Sequence, residues 1–267
     1  MKWQKSNSQR TVNNGGTIRD GGAVMQENDA RIIDIHTHIL PGIDDGSRSV
    51  EESRTLIDTL FSQGVSTVVA TPHYYPTDSS PEEFLEKRQK SEDLLRSSID
   101  LSSCELFVGA EVLYFQGISR IKGLDRLCTK ETDMFLLEMP TQPWTEYSLR
   151  EITEISNTSG ITVVMAHIDR YVSMQQPEVF EMLADSGVKM QVNADSFLHF
   201  RSSRRMLQML KNGCVHFLGT DCHGTANRPP RMDEAVNVIK KKAGDGALEM
   251  LSLNCNDYLR KRERAAL

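Results

Sequence analysis

Residues 31–46, RIIDIHTHILPGIDDG, join an apolar run to two histidines and two adjacent aspartates. The opening run has the β-branched, apolar composition of a buried strand. Alternate side chains of an extended chain share a face, so His36 and His38 are expected to point the same way, with Thr37 opposite. Two imidazoles aimed at one point indicate a metal site, although an isolated H-x-H pattern is more often an ordinary pair of histidines.

Six further apolar runs follow, separated by segments with helical signals. The predicted strands are residues 31–36, 65–71, 105–111, 134–139, 161–167, 188–193 and 215–220. Ser49 and Ser80 each begin a capping-box pattern, which predicts a helix start at both positions. Strands that alternate with helices are typical of βα units around a parallel sheet, so the sequence predicts an α/β fold.

Composition limits the class of protein. The chain has 267 residues and a formal net charge of −6, which argues against broad binding to nucleic acid or to anionic membranes. The apolar runs are all shorter than the roughly 20 residues of a membrane span, and the 5 cysteines form no C-x-x-C pair. We therefore expect a cytoplasmic enzyme, with a flexible arm over residues 1–29 and a single domain over residues 30–267.

Residues that can bind metals follow six of the seven predicted strands. They are His36, His38, Asp44 and Asp45 after the first strand, then His73, Glu111, Glu138, His167, Asp221 and His223. The sixth strand, ending at Asn193, offers no obvious ligand. The carboxyl ends of parallel strands meet at one edge, so these side chains are expected to lie together. Carboxylates packed so closely repel each other unless cations compensate, and this donor set suits several divalent ions, including manganese, iron and zinc.

These motifs carry a family resemblance. Together with T-P-H (71–73), G-A-E (109–111), L-L-E-M (136–139), A-H-I-D-R-Y (166–171), T-D-C-H (220–223) and N-R-P-P (227–230), residues 34–46 resemble the PHP (polymerase and histidinol phosphatase) superfamily. Within it, they look like the bacterial manganese-dependent tyrosine-protein phosphatases of capsule and exopolysaccharide systems. The resemblance covers about residues 31–260. The residues before Arg31 depart from it, because chains of this family tend to begin almost at the first motif.

The resemblance implies a fold, a site and a partner. The fold is a distorted (β/α)7 TIM-like barrel with three metal ions, expected to be Mn²⁺. The implied ligands are His36, His38, Asp45, His73, Glu111, Glu138, His167, Asp221 and His223. Arg170 and Arg228 match positions that resemble phosphate-binding arginines, and Asp45 and His223 are expected to take part in catalysis as well. The implied substrate is a phosphotyrosine protein, expected to be the tyrosine-rich tail of a bacterial autophosphorylating kinase.

Three alternatives remain open from the sequence. Cys222 and Arg228 satisfy C-x5-R, the spacing of cysteine-dependent phosphatases, although Pro229 stands where a helix should begin. A PHP phosphatase of a small metabolite such as histidinol phosphate would use the same metals with a different pocket. A metal-filled barrel that only binds a phosphorylated partner would not be an enzyme, but the complete ligand set disfavours this reading.

Overall fold

The computed structural model of the protein describes residues 31–158 and 160–259. The predicted arm, residues 1–29, lies outside those ranges, so its flexibility stays a prediction, as does the single domain over residues 30–267. Within the described ranges, no helix combines the length and the apolar composition needed to cross a lipid bilayer.

Strands and helices follow one another along the described part of the chain in the predicted order. The strands are β1 (Ile32–Thr37), β2 (Val65–Ala70), β3 (His73–Tyr74), β4 (Glu105–Val108), β5 (Glu111–Leu113), β6 (Met134–Glu138), β7 (Thr162–Met165), β8 (Lys189–Asn193) and β9 (Phe217–Gly219). The helices are α1 (Val50–Ser62), α2 (Pro81–Ser98), α3 (Glu146–Thr158), α4 (Pro177–Asp185), α5 (Phe200–Lys211), α6 (Met232–Ala243) and α7 (Asp245–Leu259).

Two of the seven strand positions of the barrel are each divided into two short strands. β2 resumes as β3 after Pro72, and β4 resumes as β5 after Ala110. Proline lacks the N–H that a strand ladder needs, which accounts for the first interruption. β2 pairs with β4 and β3 pairs with β5, both in parallel, so the two interruptions lie side by side. Glu111 therefore begins β5, which corrects the prediction that it ends an unbroken strand over residues 105–111.

The strands curl into a barrel whose two ends meet. The order is β1-β2-β4 in one sheet and β3-β5-β6-β7-β8-β9 in the other. Thr37 of β1 forms a parallel bridge with Cys222, just beyond β9. The amide of Asp221 donates to the carbonyl of His36 (2.8 Å), and the amide of His38 donates to the carbonyl of Cys222 (3.0 Å). These contacts complete the predicted distorted barrel of seven strand positions, with all the carboxyl ends at one face.

Helices cover the outside of the barrel, and the first two begin where the sequence predicts. The Ser49 hydroxyl caps α1 by accepting a hydrogen bond from the amide of Glu52 (3.3 Å). Ser80 and Glu83 form the predicted capping box of α2. An N-cap of this kind contributes about 1 kcal/mol to helix stability. Each helix packs an apolar face against the barrel, and Leu56 on this face of α1 is fully buried.

His216, just before β9, is held in its neutral form. Burial, and then the charge of Lys189, lower the pKa of this imidazole from 6.5 to about 4. Its Nδ1 accepts a hydrogen bond from the amide of Met190 (3.2 Å), which an imidazolium could not do. The folded state thus binds fewer protons than the unfolded state, so this contribution to stability is complete above the unfolded pKa of 6.5 and is lost as the pH falls towards 4.

We expect His216→Gln to reduce the loss of stability on acidification. The amide oxygen of glutamine can still accept a hydrogen bond, but it does not titrate. Between pH 7.5 and pH 5, urea unfolding should show that the variant loses about 1–2 kcal/mol less free energy of unfolding than the wild type. Equal losses in the two proteins would show that His216 does not sense pH.

Candidate metal centre

Two histidines from the end of β1 lie side by side, as the H-x-H spacing predicts. His36 and His38 are fully buried, and their Nε2 atoms are 3.2 Å apart. Thr37 points to the opposite face, where its hydroxyl donates to the carbonyl of Val69 (3.0 Å). Strand alternation thus brings both imidazoles to the carboxyl end of the barrel.

Glu111, the first residue of β5, lies at the centre of the cluster. Its side chain is fully buried. Oε2 lies 3.2 Å from Nε2 of His36, 3.3 Å from Nε2 of His38 and 3.0 Å from Nδ1 of His73. Oε1 lies 2.8 Å from Nε2 of His167. One carboxylate therefore contacts four imidazoles that come from three different parts of the barrel.

Three groups of described residues have ligand atoms close enough together to hold a metal ion. Within each group, these atoms lie within 4.8 Å of one another. The groups are His36, His38, Glu111 and Asp221; His38, Asp45, His73 and His223; and His73, Glu111 and Glu138. His167 adjoins the third group, with its Nε2 3.5 Å from Oε1 of Glu138. The structure thus brings all nine predicted ligands into one cluster.

Three residues at this end of the barrel have a left-handed backbone conformation although none is glycine. φ is 32° at His167, 55° at Asp221 and 56° at Arg228. Residues with side chains pay roughly 1–3 kcal/mol for such conformations, which persist where the surrounding structure imposes them. All three side chains contact the cluster, so the strained turns position functional groups.

Two residues outside the predicted ligand set orient the β1 histidines. Nδ1 of His36 lies 3.3 Å from Oε1 of Gln191, and Nδ1 of His38 lies 2.8 Å from Oδ2 of Asp44. Both partners are acceptors, so Nδ1–H donates and the Nε2 lone pair faces the cluster, as in metal-bound imidazoles. Gln191 belongs to β8, the strand that seemed to offer nothing. β8 therefore serves the site through an orienting amide.

His167 and His223 are oriented in the same way. Nδ1 of His167 lies 3.3 Å from the hydroxyl of Tyr171, which itself donates to the carbonyl of Met139 (2.6 Å). Nδ1 of His223 lies 3.0 Å from the carbonyl of Asp221. In both cases Nδ1 is the donor, which leaves Nε2 available to bind a metal.

Two glycines allow close packing around the first histidines. A Cβ atom at Gly46 would lie 2.3 Å from the carbonyl oxygen of His38, and one at Gly219 would lie 2.6 Å from Cβ of His36. Real Cβ atoms do not come so close, so both positions require glycine. Gly46 is the glycine of the D-D-G pattern, but the close packing that requires glycine there cannot be deduced from the sequence.

Burial and neighbouring charges shift the pKa values of two clustered carboxyl groups in different directions. Burial raises the pKa of Glu111, but the imidazoles around it, first His36 and then His167, outweigh burial and lower the pKa well below its ordinary value. The pKa of Glu138 is raised, first by burial and then by the negative charge of Glu111. Two carboxylates this close to each other favour a cation between them.

Two buried polar atoms in the described part of the chain support a metal at this point. Oε2 of Glu111 and Nδ1 of His73 lie 3.0 Å apart, and neither has a hydrogen-bond partner. An unsatisfied buried polar group costs about 1–3 kcal/mol, and a cation bound by both atoms removes that cost. Imidazole nitrogens and carboxylate oxygens, with no thiolate in the three groups, fit divalent manganese, iron or zinc.

Arg170 and Arg228 lie at the edge of the cluster and contact the same carboxylate. Nη2 of Arg170 donates to Oδ2 of Asp221 (2.5 Å), and Nη2 of Arg228 donates to the same oxygen. The two side chains are 34% and 38% exposed, and both line a cavity of about 520 Å³. Paired guanidinium groups beside a candidate metal centre form a suitable site for a phosphate group.

Cys222 points away from its metal-binding neighbours. The side chain is fully buried in the apolar core. Burial, and then the charge of Asp34, raise the pKa of the thiol to about 12, so it is protonated at neutral pH. Arg228, the arginine of the C-x5-R pattern, contacts Asp221. A protonated thiol buried in the core lacks the reactive thiolate that cysteine-dependent phosphatases need.

We expect Asp44→Asn to weaken metal binding. Oδ2 of Asp44 accepts from the His38 ring and from the amide of His73 (3.0 Å), so the carboxylate fixes a ligand and its neighbour. Loss of such an orienting carboxylate typically lowers metal affinity about 10- to 100-fold. Calorimetric titration of the metal-free protein with Mn²⁺ measures this change, and Asp78→Asn, in an exposed turn, is the control. Unchanged affinity in Asp44→Asn would contradict the orienting role.

Comparison with known proteins identifies the family. Residues 32–260 match the family described as "Capsular polysaccharide synthesis, CpsB/CapC". The chain belongs to the CpsB/CapC family. This match confirms the resemblance indicated by the metal-ligand motifs, over nearly the same residues.

Curated CpsB/CapC relatives align with most of the chain. The tyrosine-protein phosphatase CpsB of Streptococcus pneumoniae is 30% identical over an alignment of 240 residues; the match covers 80% of this chain and 91% of that protein. The putative tyrosine-protein phosphatase CapC of Staphylococcus aureus is 30% identical over 217 residues, which cover 79% of this chain and 85% of that protein.

Solved structures confirm the fold. This chain superposes with a TM-score of 0.73, at 24% identity, on a solved structure from a study of two proteins. These are YwqE of Bacillus subtilis and CpsB of Streptococcus pneumoniae, described as "unique metal-dependent tyrosine phosphatases". The superposition covers 86% of this CpsB/CapC chain and 94% of the chain in the solved structure. Histidinol phosphate phosphatase from Lactococcus lactis superposes with a TM-score of 0.52 at 15% identity, covering 81% and 94% of the two chains.

Proposed function

We propose that this protein is a metal-dependent protein-tyrosine phosphatase, which hydrolyses phosphotyrosine to tyrosine and inorganic phosphate. The observation that carries the proposal is the cluster of His, Asp and Glu side chains beside two arginines, in a chain whose relatives are named tyrosine-protein phosphatases. We assign the ligand role to His36, His38, Asp45, His73, Glu111, Glu138, His167, Asp221 and His223. The three ligand groups support three ions, for which we propose Mn²⁺, with iron and zinc as alternatives.

The chain's own residues have distinct roles in this proposal. Divalent ions, when bound, supply positive charge for the phosphoryl oxygens and lower the pKa of water to about 7. Arg170 and Arg228 hold the non-bridging oxygens through paired N–H donors. Asp45 is 70% exposed, and its Oδ1 lies 3.3 Å from Nε2 of the buried His223, so Asp45 forms the solvent-facing edge of the ligand cluster. The phenol of tyrosine, with a pKa of about 10, leaves with less help from a general acid than a serine alkoxide needs.

The proposed substrate is a phosphotyrosine segment of another protein. We propose the tyrosine-rich tail of a bacterial autophosphorylating kinase that acts in capsule or exopolysaccharide synthesis, in the cytoplasm. The family description, which names capsular polysaccharide synthesis, supports this assignment. The cavity of about 520 Å³ beside the two arginines is in the size range of small-molecule sites and offers space for an aryl phosphate.

A panel of substrates tests this function. The Mn²⁺-loaded protein is assayed with a phosphotyrosine peptide, the matching phosphoserine peptide and histidinol phosphate, with release of inorganic phosphate as the readout. We expect kcat/KM for phosphotyrosine to exceed the other two values by at least about tenfold, which corresponds to about 1.4 kcal/mol of discrimination. A preference for histidinol phosphate would favour the small-metabolite phosphatase. No hydrolysis of any substrate by the folded, metal-loaded protein would favour a scaffold.

Cys222→Ser separates the metal mechanism from the thiolate mechanism. We expect the variant to keep kcat/KM for the phosphotyrosine peptide within about twofold of the wild-type value, because a buried, protonated thiol is no nucleophile. Cys222→Ala provides a second variant in case the serine hydroxyl destabilises the apolar core. If both variants fold and bind metal but are inactive, Cys222 is the nucleophile after all.

A further inference from the structure

Helix α5 presents a basic face near the candidate site. Residues 200–211 include no acidic residue, and the helix exposes Arg201, Arg204, Arg205 and Lys211. In a helix with 3.6 residues per turn, these four positions fall on one side, opposite the apolar residues that pack into the core. We call these four side chains the α5 basic face. Four cations without an acidic neighbour in their helix stand out in a chain whose formal net charge is −6.

The basic residues at the start of α5 do not contribute to helix stability. Helix N-termini carry a positive partial charge, which favours acidic residues in the first turn. α5 has no acidic residue there, and its N-cap, His199, makes no side-chain capping bond. Within the described ranges, neither Arg201 nor Arg204 forms an ion pair to offset this repulsion. Local sequence choices that oppose stability without compensation are typical of binding sites.

Phe200 adds an apolar contact at the same place. Its side chain is 93% exposed, far more than any other large apolar side chain of the described residues. Covering an aromatic ring of this size removes a large apolar surface from water, so the ring favours a partner. Phe200 directly precedes Arg201, and its chain neighbour His199 lines the cavity of about 520 Å³.

The cavity connects α5 to the phosphate-binding arginines. Its lining includes Arg170 and Arg228 as well as His199 and Ser202, which lie at the start of α5. A peptide whose phosphotyrosine is held by the two arginines can therefore reach the first turn of α5 through the same cavity. An extended peptide advances about 3.3 Å per residue, so residues a few positions away reach Arg201.

We propose that the α5 basic face, together with Phe200, binds an acidic stretch of the protein substrate a few residues from the phosphotyrosine. The inference rests on the proposed phosphatase function, since it uses the same cavity. An acidic peptide fits better than an anionic membrane because the basic face adjoins a cavity that a peptide chain can enter. Exposed Arg–carboxylate contacts are individually weak, so several of them act together and depend on salt.

Charge-neutralising variants test this surface. Arg201→Gln/Arg204→Gln removes two charges from α5, and Lys87→Gln/Lys90→Gln removes two exposed charges with the same i,i+3 spacing from α2 as a matched control. Two labelled phosphotyrosine peptides, flanked by glutamates or by glutamines, are compared at low and high salt. Each protein is also assayed with p-nitrophenyl phosphate, which requires the metal centre but not α5. Fluorescence anisotropy with non-phosphorylated versions of the peptides measures binding without catalysis.

We expect kcat/KM of the α5 variant for the glutamate peptide to fall about five- to tenfold at low salt, with little change at high salt. The glutamine peptide, p-nitrophenyl phosphate and the α2 control should be unaffected. Equal effects on both peptides, or an equal effect of the control, would overturn the proposal. If the α5 variant instead loses sedimentation with phosphatidylglycerol vesicles while peptide kinetics stay unchanged, the face binds membranes and the proposal is wrong.

Anisotropy distinguishes failure of this inference from failure of the proposed function. If the wild type hydrolyses none of the substrates but binds the glutamate peptide through the α5 basic face, the docking surface stands and the phosphatase assignment fails. If hydrolysis is normal but the wild type shows no preference for glutamate over glutamine, the phosphatase assignment stands and the docking surface fails.

Discussion

Glu111→Gln is expected to lower kcat for a phosphotyrosine peptide by at least about a thousandfold, since a metal centre supplies several kcal/mol of transition-state stabilisation. Glu111 contacts four imidazoles and belongs to two of the three ligand groups. The amide has nearly the same size as the carboxylate but carries no charge. The change therefore removes the central anion of the cluster without creating a cavity.

Metal content and folding must be measured alongside this activity. Elemental analysis of the purified Glu111→Gln protein should show fewer bound ions, while circular dichroism should match the wild type. Glu105→Gln, at the opposite end of the same interrupted strand, is the control, because the glutamine can still accept the hydrogen bond from Thr67. A Glu111→Gln protein with wild-type activity would exclude the proposed metal centre. His38→Ala should be similarly inactive.

Removal of either arginine should abolish most activity without the loss of metal expected for Glu111→Gln. Arg170→Ala and Arg228→Ala are each expected to lower kcat/KM for the phosphotyrosine peptide about 100- to 1000-fold, the range observed when one donor to a transition-state oxyanion is removed. The ligand cluster stays complete in both variants, so the number of bound ions should not change. This combination of full metal content and low activity separates a phosphate-binding residue from a ligand.

Conservative variants refine the test of the arginines. Lysine at position 170 or 228 keeps the charge but loses the planar pair of donors, so Arg170→Lys and Arg228→Lys should recover only part of the activity. Arg54→Ala, which removes an exposed arginine that donates to the carbonyl of Ser98 (2.8 Å), is the control. Loss of metal together with activity in Arg170→Ala would mean that the arginine supports the ligand cluster rather than the phosphate.

The strands and the ligand cluster could be predicted because both leave local signals. Strands covered on both faces are apolar almost throughout, and βα architecture places their carboxyl ends together. A histidine or carboxylate directly after such a run, as at His167 or Glu138, therefore marks the site from sequence alone. The family resemblance then fixed which of the two adjacent aspartates, Asp44 or Asp45, was assigned as a ligand.

Orienting residues could not be predicted, because their roles depend on contacts between distant parts of the chain. Gln191 lies 155 positions from His36, whose ring it holds. Tyr171 acts through the hydroxyl that joins His167 to the carbonyl of Met139. The only signal for Gln191 in the sequence is a polar residue between the apolar Met190 and Val192. Such a residue is also compatible with a purely structural hydrogen bond.

The interruption of the third predicted strand was also missed, for a physical reason. Pro72 explains the break between β2 and β3, but the neighbouring break at Gly109 and Ala110 occurs in a run that reads as continuous. The two breaks lie next to each other in neighbouring strands, and backbone hydrogen bonds join them. The amide of Gly109 donates to the carbonyl of Ala70 (2.8 Å), and the amide of Glu111 donates to the carbonyl of Pro72 (3.0 Å). The displaced start of β5 places Glu111 beside His73.

The most direct test of the proposed metal-dependent phosphatase is to remove and restore the metal while following hydrolysis of a phosphotyrosine peptide. The protein is stripped with EDTA, desalted and titrated with Mn²⁺, and phosphate release and bound metal are measured at each step. We predict that stripping abolishes hydrolysis and that activity returns as the ligand groups fill, reaching a plateau near three ions per chain. Full activity in protein shown to contain no metal would contradict a catalytic metal centre.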